Sequence, residues 1–283
     1  MKMKRIGVVG CGLMGSGIVQ ASAVAGYEVV VREVNEDFLS KGLGSIEKQL
    51  SKAVAKGRME DAEKTAIVGR ITGTTELAGL SGCDLIIEAV TESVELKQEL
   101  WKTLDGLCPQ QTVFSSNTSS IPMRIQAEVT SRPDRFVGLH FFNPVPVMKL
   151  VEVIRADTTS DETYQAAMAY AESLGNVPVT CKDTVGFIVN RLLIPYLLDA
   201  MRALEAGIAT AEDIDTGMKL GCGHPMGPLT LLDFVGLDTT LSIARIMYDE
   251  WKLPQYEAPE LLKKLVKEGK LGRKTGEGIY NYR

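Results

Sequence analysis

The 283-residue sequence contains no Cys-x-x-Cys pair, only two histidines, and no apolar stretch long enough to span a bilayer. Its five cysteines (Cys11, Cys83, Cys108, Cys181 and Cys222) are odd in number and widely spaced. They suggest neither a disulfide framework nor a zinc site, and no metal is expected. Such cysteine usage fits a reducing cytosol. The first residues run almost at once into a strand-like stretch and a glycine loop, so no signal or transit peptide is expected. These features together predict a cytoplasmic protein without a membrane segment. The formal net charge of −5 makes nucleic acid and anionic membrane surfaces poor partners. A local basic cluster can still hold a phosphorylated small molecule.

A hydrophobic content of 45% over this length is ample for a core and is usually divided between two domains. Strand-like apolar runs at residues 6–9, 29–31, 84–90, 112–115 and 136–141 alternate with helical stretches at 16–25, 36–56 and 94–107. Continuous apolar strands separated by helices predict a parallel sheet covered on both faces. Further strands are expected at 150–154 and 177–181, with a helix at 161–174 between them. After Lys182 the pattern changes. Residues 187–205 read as one apolar helix interrupted at Pro195, and helical segments punctuated by glycine and proline follow. The expected fold class is therefore α/β, with a Rossmann-type dinucleotide-binding domain over residues 1–184 and an all-α C-terminal domain over 185–283. A helical hairpin insertion is expected near 36–70.

Gly10-Cys11-Gly12-Leu13-Met14-Gly15 is a G-x-G-x-x-G that follows a strand and opens a helix. In that setting Gly10 permits the tight turn, Gly12 lets the backbone approach a pyrophosphate, and Gly15 allows close helix–strand packing. The helix N-terminus presents free N–H groups to the phosphates. Glu33, at the end of the next strand, can accept from ribose hydroxyls and repel a 2′-phosphate, which favours NAD. Arg32 beside it leaves NADP open as an alternative. A glycine-rich turn that holds no phosphate is the competing reading.

A dehydrogenase without a metal needs a base for the alcohol proton, and histidine suits that task near neutral pH. His140 ends an apolar strand, at the edge where open α/β sheets bind ligands. Glu152 lies inside the next apolar run and requires a partner there. Two readings stand on the residues alone: a base oriented by a carboxylate, or a core histidine with a salt-bridged glutamate. His224, in Gly223-His224-Pro225, reads as part of a turn.

With these motifs in view, the sequence resembles the 3-hydroxyacyl-CoA dehydrogenases, in particular the short bacterial 3-hydroxybutyryl-CoA dehydrogenases. The resemblance spans essentially the whole chain. It is carried by GCGLMGSG at 10–17, SNTSS at 116–120, HFFNPVPVMKLVE at 140–152, DTVGFIVNRLL at 183–193, DIDTGMKLGCGHPMG at 213–227 and GRKTGEGIY at 272–280. It implies that His140 is the catalytic base, Glu152 its acidic partner, and Ser119 a contact to the substrate oxygen near the nicotinamide. It implies that Asn143 and Asn190 line the reaction centre. It assigns NAD contacts to Leu13, Met14, Glu92, Lys97, Asn117 and Lys274, and coenzyme A contacts to Lys52 and Lys56. A homodimer through the C-terminal domain and acetoacetyl-CoA or 3-hydroxybutyryl-CoA as partners are further implications.

The residues themselves allow plainer readings of some of these assignments. Lys52 and Lys56, four apart, share a helix face and could also be a solvated basic surface. Ser119 could cap a helix before Pro122. Asn190, on an apolar helix, wants a partner for its amide. Asn143 precedes Pro144, so an extended backbone is expected there. Many relatives carry aspartate where Glu33 stands, a change of reach rather than of chemistry. Two other functions share these features: an NAD dehydrogenase of a non-CoA hydroxy acid, in which Lys52 and Lys56 would be idle, and a non-catalytic, crystallin-like protein.

Overall fold

The computed structural model describes residues 3–283. The chain divides into two units, Met1–Thr184 and Val185–Arg283.

The first unit is built on one eight-stranded sheet. It opens with β1 (Arg5–Val9), α1 (Leu13–Val24) and β2 (Glu28–Arg32). Then come α2 (Glu36–Ala55), α3 (Asp61–Val68), β3 (Ile71–Thr74), β4 (Leu85–Glu88) and α4 (Val94–Leu107). The rest of the unit is β5 (Val113–Ser116), α5 (Met123–Ala127), β6 (Phe136–Phe141), β7 (Leu150–Arg155), α6 (Asp161–Ser173) and β8 (Val177–Lys182). The strand order β3-β2-β1-β4-β5-β6-β7-β8 places a topological switch between β1 and β4. There the chain leaves in opposite directions and a crevice opens at the strand carboxyl ends. The central strands are apolar on both faces, as a sheet covered by helices on each side requires: Ile6, Val8, Leu85, Ile86, Ile87, Val113 and Phe114 are fully buried.

The expectation of a wholly parallel sheet is corrected at one seam. β6 and β7 are antiparallel, with Gly138 opposite Ile154 and His140 opposite Glu152, while β7 and β8 are parallel again. An apolar strand carries no mark of its neighbour's direction. The connection of residues 142–149 is too short for a crossover helix, and only an antiparallel return suits it. β3 was not expected: Ile71-Thr72-Gly73-Thr74 is short, partly polar and only partly buried, and it sits on the sheet edge. α2 and α3 form the helical pair after β2. The α2 N-terminus is capped by Asn35, whose side chain accepts from the Phe38 N–H at 2.9 Å.

The second unit contains α7 (Val189–Glu205), α8 (Ala211–Cys222), α9 (Pro228–Val235), α10 (Leu237–Trp251) and α11 (Glu260–Lys267). Its core draws Ile194, Leu197, Leu198 and Met201 from α7 against Leu237, Leu241, Ala244 and Met247 from α10, each set at helical spacing. α7 begins two residues later than expected, after Phe187 at φ 48°, and it runs through Pro195 rather than breaking there. Pro195 is the seventh residue of this helix, so its ring costs one intrahelical bond inside an otherwise well-packed element. The C-terminal tail is pinned by two buried carboxylates. Asp233 accepts from the N–H groups of Ile279 and Tyr280, both at 2.9 Å, and from the Tyr282 hydroxyl at 3.0 Å. Asp215 accepts from the Leu229 N–H at 2.7 Å and the Tyr280 hydroxyl at 2.9 Å. Among the described residues no helix is long and apolar enough to cross a membrane.

Candidate active site

The glycine loop leaves β1 at Gly10, whose φ of 94° lies in the left-handed region that favours glycine. A Cβ at Gly10 would lie 2.7 Å from the Ala89 carbonyl oxygen, and one at Gly15 only 1.9 Å from the Gly10 carbonyl oxygen. Gly12 differs, since a Cβ there meets nothing within 4 Å. Its lack of a side chain serves approach from outside, not packing within. Gly12 is also the N-cap of α1 and offers no side-chain cap, so the first-turn N–H groups remain for an external anion. Glu33 reaches back to this loop, its Oε1 accepting from the Cys11 N–H at 2.6 Å. Loop, helix end and carboxylate together fit the phosphates and a ribose of a dinucleotide. Arg32 turns the other way, its Nε donating to the Thr75 carbonyl at 3.1 Å. Leu13 is largely exposed beside the loop and Met14 is half-buried.

Across the switch, the ends of β4 and β5 carry a buried ionic cluster. Lys97 Nζ lies 2.6 Å from Glu88 Oε1, with both side chains essentially inaccessible. Glu88 also accepts from the Ser116 hydroxyl and the Val90 N–H, both at 2.6 Å. The same ammonium lies 3.4 Å from Glu92. Glu92 in turn accepts from the Thr118 hydroxyl at 2.8 Å and the Ser119 N–H at 2.9 Å, with the Ser119 hydroxyl at 3.5 Å. Lys97, Glu92 and Ser119 thus form one connected network rooted on Glu88. Ser119 is not a helix cap: α5 is capped by Asp183, whose carboxylate accepts from the Met123 and Arg124 N–H groups at 2.7 and 2.8 Å.

His140 closes β6. Its Nδ1 lies 2.6 Å from Glu152 Oε2, with Glu152 fully buried and His140 nearly so. The Phe142 ring leans on the imidazole with centroids 4.6 Å apart. Asn117 is also anchored here, its Oδ1 accepting from the Phe141 N–H at 2.9 Å. Asn143 is exposed, and the Asn143–Pro144 bond is cis.

The remaining expected residues are placed separately. Lys52 lies in the last turn of α2 and Lys56 just beyond it as the C-cap, both exposed. Asn190 is half-buried in the first turn of α7 in the second unit. Lys274, also in the second unit, is ion-paired with Asp238 at 2.6 Å. Partial burial opposes the charge on Asp238, but the bond from Lys274 outweighs it and holds the carboxyl below its ordinary range. His224 Nδ1 lies 3.1 Å from the Tyr196 hydroxyl, next to the left-handed Gly223 that ends α8.

Glu88, Ser116 and Thr118 did not stand out in the sequence. Glu88 carries the same signal that marked Glu152, a carboxylate inside an apolar strand that demands a partner, and Lys97 is that partner.

Known proteins match this chain along its full length. The family model for the 3-hydroxyacyl-CoA dehydrogenase NAD binding domain matches residues 5–184, and the model for the C-terminal domain of the same family matches 186–282. A probable 3-hydroxybutyryl-CoA dehydrogenase of Deinococcus radiodurans is 46% identical over 278 residues, covering 98% of this chain and 100% of that protein. The human mitochondrial hydroxyacyl-coenzyme A dehydrogenase is 47% identical over 294 residues, covering 99% of this chain and 92% of that protein. The crystal structure of (S)-3-hydroxybutyryl-CoA dehydrogenase from Ralstonia eutropha superposes with a TM-score of 0.96 at 44% identity, covering 100% of both chains. The chain belongs to the 3-hydroxyacyl-CoA dehydrogenase family.

Proposed function

We propose that this protein interconverts (S)-3-hydroxybutyryl-CoA and acetoacetyl-CoA with NAD as the redox cofactor. The observation that carries the reading is the 2.6 Å bond between His140 Nδ1 and buried Glu152, at the carboxyl edge of β6. The names of its full-length relatives and the match to an NAD-binding family model support it.

In this reading the glycine loop and Glu33 hold the dinucleotide, with Leu13, Met14, Glu92, Asn117 and Lys274 as further contacts and Lys97, itself inaccessible, acting through Glu92. Bound NAD supplies the acceptor for the hydride that leaves the alcohol carbon. The chain's own part is the proton. A carboxylate partner selects the imidazole tautomer protonated on Nδ1, which leaves the Nε2 lone pair to take the 3-hydroxyl proton. Glu152 then stabilises the imidazolium, and in the reverse direction His140 returns the proton to the ketone oxygen. Such acid–base catalysis contributes roughly 10²–10⁴-fold. Ser119, fixed by Glu92, is proposed to hold the reacting oxygen, with Asn143 and Asn190 lining the centre. Lys52 and Lys56 supply two cations to the phosphates of coenzyme A. A homodimer through the C-terminal unit is also proposed, supported by the exposed Leu192, Ile208 and Leu220 on that unit.

The test is steady-state reduction of acetoacetyl-CoA and longer 3-oxoacyl-CoA thioesters with NADH and with NADPH. Turnover with acetoacetyl-CoA and NADH supports the proposal. Turnover only with a hydroxy acid lacking coenzyme A, or none at all with intact folding, contradicts it.

A further inference from the structure

The parallel backbone ladder between β5 and β6 ends at Ser116 opposite Gly138. His140 lies beyond that point. On its other edge β6 stays paired to β7, with Phe141 opposite Val151. The edge facing β5 would be left with a buried, unpaired N–H at Phe141, which native structures avoid. A side chain takes it: Phe141 N–H donates to Asn117 Oδ1 at 2.9 Å. Asn117 is itself tied to β4, its N–H donating to the Glu88 carbonyl at 2.8 Å. The amide therefore stands in for the missing rung of the sheet and joins the ends of three strands at the residue next to the imidazole. Being neutral, it does so without adding charge to a region that already holds Glu88, Glu92 and Glu152.

We propose that Asn117 is a positioning residue for His140, closing the β5–β6 ladder through its side-chain carbonyl and so setting where the imidazole sits. The proposal rests on His140 being the base. It also separates two uses of one side chain. Oδ1 is committed to Phe141, so any contact of Asn117 with cofactor falls to the Nδ2 donor.

Two variants distinguish these uses. Asn117→Ala removes both groups, whereas Asn117→Asp keeps the acceptor oxygen and removes the donor. The full-length enzyme is assayed for kcat, the pH profile of kcat, and NADH affinity by fluorescence titration. Asn117→Ala is expected to lower kcat about ten- to a hundredfold and to change the pH profile, since displacement of a reacting group on the ångström scale costs that much. Its NADH affinity falls less than kcat, by no more than about tenfold, which is the worth of the one Nδ2 contact. Asn117→Asp is expected to recover part of the lost kcat, since it restores the acceptor but adds a charge and removes the donor. The proposal is overturned if Asn117→Ala keeps wild-type kcat, or if both variants lose NADH affinity in step with activity. If Asn117→Ala does not fold, Asn117→Asp decides: folded with kcat within about tenfold of wild type supports the proposal, folded and inactive defeats it.

A readout independent of activity keeps this distinct from the functional reading. With only two histidines in the chain, the imidazole ¹H–¹⁵N spectrum is assigned by a His224→Gln variant. The His140 Nδ1 resonance is expected to move in Asn117→Ala and return in Asn117→Asp. An unmoved resonance overturns the positioning role, whatever the substrate proves to be.

Discussion

His140 and Glu152 stand directly opposite one another on adjacent antiparallel strands, and the imidazole Nδ1 lies 2.6 Å from the carboxylate. Directly opposed residues share a face of the sheet with their Cβ atoms roughly 5 Å apart. The pairing is thus a product of strand register as much as of side-chain chemistry. A slip of one residue would send Glu152 to the other face. Glu152→Gln preserves size and removes the charge that selects the tautomer. It is expected to lower kcat about 10²-fold or more and to change the pH profile of kcat, as loss of the orienting acid does in related triads. Steady-state rates across pH check this, and an unchanged profile would reduce Glu152 to a packing role.

Two variants of the glycine loop separate the proposed cofactor binding from folding. Gly12→Val adds its Cβ where nothing lies within 4 Å of it. It should keep the wild-type melting temperature and lose NADH affinity, because the side chain occupies the approach to the α1 N-terminus. Gly15→Ala puts a methyl 1.9 Å from the Gly10 carbonyl and should instead lower stability, by about 1–3 kcal/mol. Calorimetry and fluorescence titration of the two variants give opposite patterns. A Gly12→Val protein with wild-type affinity would remove the loop from the cofactor site.

Lys97 is inaccessible and bonded to inaccessible Glu88. Lys97→Met leaves a buried carboxylate unpaired and is expected to cost about 3–5 kcal/mol. Replacing both members, Glu88→Leu with Lys97→Met, should recover part of that loss, since two apolar groups leave no orphan charge. Chemical denaturation of single and double variants measures the difference. A single variant as stable as wild type would mean that Lys97 is not held as the structure places it.

The five strand runs of the first half, at 6–9, 29–31, 84–90, 112–115 and 136–141, were legible because parallel strands buried on both faces are unbroken apolar runs, and the helices between them keep their period. β3 escaped because Ile71-Thr72-Gly73-Thr74 is half polar. The reversal at β7 escaped because apolar alternation is silent on direction. Pro195 was overread: tertiary packing of Leu197, Leu198 and Met201 outweighs one missing bond. At the site, His140 and Glu152 could be paired from the demand of a buried carboxylate. The Glu88–Lys97 pair carried the same demand, nine residues apart across a loop, and only the structure joined them. Asn117 was reached only through the resemblance, as a cofactor contact; its place in the sheet left no mark in the sequence, because that depends on where a ladder stops.

Cysteine reactivity offers a check on burial near the glycine loop. Burial, reinforced by the charge of Glu33, pushes the Cys11 thiol up to about 12, and burial does the same for Cys83. Burial also raises Cys108. Since the thiolate is the nucleophile, a raised value means almost no reactive form near pH 8. Cys181 is buried as well, whereas Cys222 is exposed. A thiol-reactive chromophore at pH 8 should therefore titrate one fast thiol, abolished by Cys222→Ser. Fast reaction of Cys11 would show that the loop opens.

The most direct measurement is the paired determination of kcat with acetoacetyl-CoA and of NADH affinity for His140→Gln. If the imidazole is the proton carrier, kcat falls by roughly 10²–10⁴-fold while NADH binds as in the wild type. A His140→Gln enzyme that turns over acetoacetyl-CoA at near the wild-type rate would contradict the mechanism at its centre.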